Sequence, residues 1–279
     1  MTMYRPSPYV GVSGVVNPEQ QVELAEFARK AFAGNDETLL MLGVKAVHKT
    51  QWLDTENKYG RQWYPVGEHE FASALDGPQT QNVAQVYLEP EALAADPDYG
   101  RRFIRRIKQR GAQWLHVIQF DMLHYHDSPE ALSYLIHEAR REDEVRNDQY
   151  DVIVQAHSKA MADGPKATIE KLKRLSPDEI SWVLFDASHG TGKTMDADNL
   201  KRFLEAGYAD SDLDGVGFGI AGGLNAEGVL EHLPKVLEDF PHISWDAEGR
   251  LHLTEDRSLD MDAAKKYIAA SAVVRQSSR

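Results

Sequence analysis

Asp186, Gly190, Gly192 and Lys193 fall within one stretch, Ser181-Trp-Val-Leu-Phe-Asp-Ala-Ser-His-Gly-Thr-Gly-Lys-Thr194. Its residue types suit acid–base chemistry beside an anion. The apolar run Trp182 to Phe185 predicts a buried strand, Asp186 ends it, and a glycine-rich turn leads into an amphipathic helix from Asp198 to Ala206. A strand end holds a reactive side chain in place, while backbone amides at a glycine turn and a helix start attract negative charge. A second turn of this kind, Ala221-Gly222-Gly223-Leu224-Asn225, follows the next apolar run.

Other polar residues end predicted strands, where a barrel enzyme keeps its catalysts. His48 and Glu89 follow the second and third runs, Asp121 the fourth, and His157 the fifth, in Gln155-Ala-His157. Alternation along a strand turns Gln155 and His157 the same way. Lys45 lies inside a strand, which suits a lysine only where it faces a barrel mouth. An amine so placed admits a Schiff-base aldolase. Ala187 to Thr194 also satisfies a relaxed phosphate-loop pattern, in which Lys193 would meet nucleotide phosphates in a hydrolase. His124, His126 and Asp127 lie close in sequence, but an i, i+2 histidine pair is a weak metal signal and no metal site is assigned.

The elements that must carry these residues alternate. Apolar runs begin at Tyr9, Leu39, Val83, Trp114, Asp151, Trp182, Asp214 and Ile243, and an amphipathic stretch follows each one. Asn17-Pro18-Glu19 starts the first helix, with Asn17 as N-cap and Pro18 at N1. Eight such units without an internal linker predict one domain over residues 1–279, a single (β/α)8 TIM barrel of the α/β class. The segment His48 to Thr80 is too long for an ordinary connection, and its Trp52, Trp63 and Tyr64 mark it as an ordered functional loop. The helix from Tyr99 to Arg110 bears five arginines and one lysine, read as a solvated outer face. Trp245 is assigned to the core.

Composition limits the partners. The formal net charge is −13, which argues against nucleic acid or anionic membrane, since both are bound through cationic contacts. The chain has no cysteine, so thiolate catalysis, cysteine-held zinc and disulfides are excluded, in keeping with a reducing interior. Met1 to Pro8 has no apolar core of signal-peptide length, and no run approaches the roughly 18 apolar residues of a membrane span. A cytoplasmic location is expected, with no cofactor. The expected partners are a phosphorylated small molecule and, at most, a second copy of the chain in a homodimer.

Asp186 with Gly190-Thr-Gly-Lys-Thr194, followed by Ile220-Ala-Gly-Gly-Leu-Asn-Ala-Glu-Gly-Val229, resembles the C-terminal half of phosphoribosylanthranilate isomerase, a tryptophan-biosynthesis (β/α)8 barrel. Val12-Ser-Gly-Val-Val-Asn-Pro-Glu19 is similar to that family's opening motif, and Ile118-Gln-Phe-Asp121 stands where it has Val-Gln-Leu-His. The resemblance spans most of the barrel but not the long second loop or the third and fifth units. It implies an Amadori rearrangement of a phosphorylated ribosylamine, with Asp186 as general acid and phosphate held at Gly222, Gly223, Asn225 and Gly249. The family's catalytic cysteine position is Ser13 here. A serine hydroxyl is a poor base without a proton acceptor, for which Lys45, His48, Asp121 and His157 are the candidates. A barrel that binds a phosphorylated ligand but has lost or changed this reaction is the alternative that the missing cysteine raises.

Overall fold

Two periodicities divide the apolar surface of this chain. Residues two apart along each strand share a face, and the two faces pack against different partners. Tyr9, Met41, Val83, Val117, Ile153, Trp182, Leu184 and Ala221 form one buried cluster. The alternate strand residues, among them Val10, Val12, Leu42, Val44, Ile118, Val152, Val183 and Ile220, pack outward against the helices in a second, larger cluster. A sheet buried on both faces with helices outside is what a closed parallel barrel requires.

A computed structural model describes residues 5–34, 37–77, 80–96, 98–121, 129–141, 149–186 and 196–278. Eight parallel strands close on themselves in sequence order. They are β1 (Tyr9–Ser13), β2 (Leu39–Val47), β3 (Gln81–Tyr87), β4 (Val117–Asp121), β5 (Asp151–Ala156), β6 (Trp182–Asp186), β7 (Gly217–Ala221) and β8 (Ser244–Ala247). β1 closes the ring on β8, with Val10 opposite Trp245 and Gly11 opposite Asp246.

The outer helices are α1 (Pro18–Ala31), α2 (His48–Gln51), α3 (Gly67–Leu75), α4 (Pro90–Ala95), α5 (Tyr99–Gly111), α6 (Pro129–Arg140), α7 (Ser158–Met161), α8 (Pro165–Lys173), α9 (Ala197–Tyr208), α10 (Ala226–Leu237) and α11 (Met261–Ser277). Asn17 caps α1 as expected, its side chain accepting from the Gln20 amide, with Pro18 in the first turn. Trp245 is fully buried and donates its indole N–H to Ser271 Oγ at 2.9 Å. Among the described residues no helix is long and apolar enough to cross a membrane.

Several boundaries differ from those expected of the sequence, for local reasons. β4 starts at Val117 rather than Trp114, because Ala112–Trp114 forms a 3-10 turn entered at φ +40° on Ala112. β7 starts at Gly217 rather than Asp214, since Asp210 caps another such turn over Ser211–Leu213. β8 runs past Trp245 and therefore carries Asp246 within the barrel wall. The segment after β2 is ordered but not irregular throughout, since it folds into α2, a crossing over 52–66, and α3.

The basic face of α5 is also more than a solvated surface. Arg110 is buried, donating to Gln51 Oε1 at 2.9 Å and to Asp54 Oδ1 at 2.8 Å. Arg106 donates to the Gln51 carbonyl at 2.8 Å and to Asp54 Oδ2 at 3.2 Å. These two arginines anchor the start of the crossing segment, so their spacing on α5 fixes where the loop after β2 leaves the barrel.

Candidate active site

The C-terminal ends of the strands converge on a cavity of about 310 Å³. That volume suits a small ligand. Its wall is built by alternation: Lys45 from β2, Gln85 and Tyr87 from β3, Gln119 and Asp121 from β4, Gln155 and then His157 from β5, Asp186 from β6, and Asp246 from β8 with Glu248 just beyond. Gly222, Gly223 and Gly249 complete the rim.

Asp186 and Asp246 occupy one level of the barrel. Asp186 is opposite Ala221 of β7, and Ala221 is opposite Asp246 of β8. With neighbouring strands about 4.8 Å apart, the two Cα atoms are roughly 10 Å apart across a small residue. Gln155 Nε2 donates to Asp186 Oδ2 at 2.9 Å, and His157 Nε2 lies 3.9 Å from the same oxygen. Asp246 accepts from Ser13 Oγ at 3.3 and 3.2 Å on its two oxygens. Space for this carboxylate comes from β1, where a Cβ on Gly11 would lie 2.6 Å from Asp246 Oδ1.

Electrostatics separate the acids. Burial, then the charge of Glu248 and that of Asp186, lift the Asp246 carboxyl to about 7, against the Ser13 hydroxyl and the Ala247 amide, which favour its charged form. Burial also raises Glu248, but the charge and hydrogen bond of Lys45 outweigh it and hold that carboxyl below the usual range. Tyr87 is pushed far upward by burial and by the nearby Glu248, Asp121 and Asp186, so its phenol stays a neutral donor. A carboxyl poised near neutrality beside one held charged is the pattern that separates acid–base roles in enzymes.

The segment after β2 roofs the cavity with Tyr59, Trp63 and Tyr64. Trp63 stacks on His252 with ring centres 4.5 Å apart and planes 11° apart. Lys45 Nζ sits 4.5 Å from the Trp63 ring centre, and the Arg257 guanidinium lies 4.7 Å from Tyr59 and 5.3 Å from Trp63. Gln62 Nε2 donates to the Asp256 carbonyl at 2.8 Å. The long loop after β2 is thus joined to the segment after β8 by rings, cations and one hydrogen bond.

The expected site residues divide. Asp186, Asp121, His157, Lys45, Gly222, Gly223 and Gly249 line the cavity together. Ser13 lies one layer below, fully buried under Asp246. Asn225 caps α10, its side chain accepting from the Gly228 amide, and it is not among the residues that line the cavity. His48 turns away, its Nδ1 meeting the Tyr99 hydroxyl at 2.6 Å, and Glu89 is exposed before α4. Neither lines the cavity.

Lys45 is ion-paired with Glu248 and covered by rings, and an ammonium held in an ion pair has no lone pair with which to attack a carbonyl. Gly190, Gly192 and Lys193, and with them the phosphate-loop pattern, lie outside the described residues, as do His124, His126 and Asp127. Among the described residues no group of three or more metal-binding side chains gathers. The hydrogen bond of the Ser13 hydroxyl goes to Asp246, a residue outside the four candidates named from sequence. Asp246 and Glu248 are hard to place at the cavity from sequence, because the apolar run of β8 stops at Trp245, one residue short of the acid. Extending the i, i+2 alternation from Ser244 places both on the inner face.

No family model matches the chain, and no curated protein matches it in sequence. Solved structures match it in fold. N-acetylneuraminic acid (sialic acid) synthetase from Leptospira borgpetersenii serovar Hardjo-bovis, in complex with citrate, superposes with a TM-score of 0.54 at 11% identity, over 98% of this chain and 85% of that one. The tryptophan synthase alpha chain from Legionella pneumophila subsp. pneumophila gives 0.55 at 10% identity, over 97% and 92%. A GH113 beta-1,4-mannanase gives 0.53 at 11% identity, over 99% of both chains. Three proteins so different in name share only their architecture with this one, and what they establish is the (β/α)8 barrel.

Proposed function

We propose that the barrel mouth is the active site of a sugar-phosphate isomerase of the Amadori type, in which Asp186 is the general acid and Asp246 the general base. The observation that carries this reading is the pair of carboxylates level with one another on β6 and β8, facing one cavity, with Asp246 titrating near 7. A base works best when its proton affinity matches the working pH.

The reaction divides between them. Asp186 gives a proton to the ring oxygen of a ribosylamine, and the C1–O bond breaks to leave an iminium. Asp246 then takes the proton from C2, and the electrons of that C–H bond form the enol that relaxes to the amino-ketose. The proton that Asp246 gains offsets the one that Asp186 gives up, and exchange with solvent past His157, 3.9 Å from Asp186, resets the two carboxyls. The substrate phosphate is assigned to Gly222 and Gly223, whose φ angles of +110° and +65° only glycine adopts freely, together with the amides opening α10. Arg250 and Arg257 at the rim supply positive charge against the four acids. The aromatic roof gives a flat apolar partner to the amine substituent.

The test is steady-state turnover of phosphoribosylanthranilate by the purified protein. Turnover that falls by at least a hundredfold in both Asp186→Asn and Asp246→Asn supports the assignment. Absence of turnover, with thermal stabilisation by other phosphosugars, would replace it with a barrel that binds a phosphorylated ligand and does not isomerise this one.

A further inference from the structure

The hydroxyl of Ser13 sits at one end of a run of side-chain hydrogen bonds that circles the inside of the barrel. Gln85 Nε2 donates to Ser13 Oγ at 2.6 Å, and Ser13 Oγ donates to Asp246 Oδ2 at 3.2 Å. In the other direction Gln85 Nε2 reaches Gln119 Oε1 at 3.5 Å, Gln119 Nε2 donates to Gln155 Oε1 at 2.8 Å, and Gln155 Nε2 donates to Asp186 Oδ2 at 2.9 Å. The run therefore begins on one of the two carboxylates and ends on the other.

Its polarity follows from its ends. Asp186 Oδ2 accepts the N–H of Gln155, which turns the oxygen of Gln155 toward Gln119 and the oxygen of Gln119 toward Gln85. Both N–H groups of Gln85 are then spent, and its Oε1 is buried with no hydrogen-bond partner. An orphaned buried acceptor is costly. The amide is held this way round for its donors. A serine whose oxygen already accepts from Gln85 turns its own hydrogen to the remaining acceptor, the Asp246 carboxylate.

We propose that Gln85 and Ser13 are a positioning pair for Asp246: Gln85 aims the Ser13 hydroxyl, and Ser13 holds the carboxylate in its charged, correctly turned form. This inference rests on Asp246 being the proton acceptor of the proposed reaction, and it gives the serine a role other than that of a thiol's replacement. The other groups that face Asp246 are Glu248 beyond β8, Asp186 on β6, Tyr9 on β1 and Tyr267 on α11.

The experiment follows the Asp246 carboxyl by carbon-13 NMR titration of the full chain without substrate, the resonance being assigned by its loss in Asp246→Asn. Removing a donor from a carboxylate disfavours the charged form, so Ser13→Ala raises the midpoint by about one pH unit. Gln85→Met, which keeps the volume but has no N–H, raises it by a comparable amount. Because Gln85 acts through Ser13, the double variant shifts no further than Ser13→Ala alone. Gln85→Leu, also uncharged and without an N–H, provides a second readout should the methionine variant fail to fold, and it moves the midpoint the same way. A midpoint unchanged in the Gln85 variants while Ser13→Ala moves it, or single shifts that add in the double variant, would overturn the pair. No turnover enters this measurement, so the titration decides for or against the pair even if the isomerase assignment fails.

Discussion

Replacing Asp246 by asparagine should stabilise the protein, and by an amount that grows with pH. The carboxyl is buried between β1 and β8, and burial with the charges of Glu248 and Asp186 moves it from 3.8 to about 7. A shift of about three units corresponds to about 4 kcal/mol of differential interaction between its two protonation states. The sign is set by proton counting. Between roughly pH 4 and pH 7 the folded state holds a proton that the unfolded chain has released, so stability falls as pH rises, by up to about 1.4 kcal/mol per unit. The cost is absent below the unfolded value and complete above about 7. Asparagine keeps the shape and a hydrogen-bond acceptor for Ser13 but carries no charge, so it escapes that loss. With an unfolding entropy near 2.1 cal/mol/K per residue, 4 kcal/mol is worth about 7 °C in a chain of this length. Calorimetric melts of both proteins at constant ionic strength, from pH 4.5 to 8, should show the Tm of Asp246→Asn pulling ahead as pH increases, with the gap levelling off above pH 7. Melting curves that run parallel across this range would refute the reasoning, because they would mean that Asp246 titrates alike in the folded and unfolded states.

Other substitutions test the supports of the site. Gly11→Ala puts a Cβ 2.6 Å from Asp246 Oδ1, so it should cost about 1–3 kcal/mol in denaturant unfolding and displace the carboxylate from Ser13. Asp54→Ala leaves the buried Arg110 without its carboxylate. As Asp54 is itself about half exposed, a loss of about 1–2 kcal/mol is expected, with faster proteolysis within residues 52–66 as the anchor to α5 is released. Trp63→Ala removes the ring that covers Lys45 and stacks on His252, and should weaken ligand binding about tenfold or more by calorimetric titration while leaving the barrel's melting nearly unchanged.

The barrel is legible in the sequence because its signals are local and repeated. Alternating apolar positions, Asn17 with Pro18 at a helix start, and glycine after β7 each act within a few residues. Asp186 is legible for the same reason, as an acid ending an apolar run. His48 and Glu89 look equivalent to it in sequence, yet neither lines the cavity. His48 has the parity opposite to Lys45 and opens α2, whereas Glu89 keeps the parity of Gln85 and Tyr87 but lies beyond the end of β3, exposed at the cap of α4. The role of the arginines on α5 is hidden in the sequence because Gln51 and Asp54, which they hold, are more than fifty positions earlier in the chain.

From the order of its residues alone, this protein is a parallel (β/α)8 barrel with an acid at the end of the sixth strand and a long aromatic loop after the second. Hydrophobic periodicity and capping are written in neighbouring residues, so they need no partner from afar. Closure of the ring decided the rest. It set Asp246 against Gly11 and Ser13, linked Ser13 through three glutamines to Asp186, and brought Trp63 over Lys45 and against His252. Those relations depend on which strands become neighbours and on how much water the closed mouth excludes. Both are properties of the assembled barrel, and burial there, rather than residue type, is what turns an ordinary aspartate into one that titrates near neutrality.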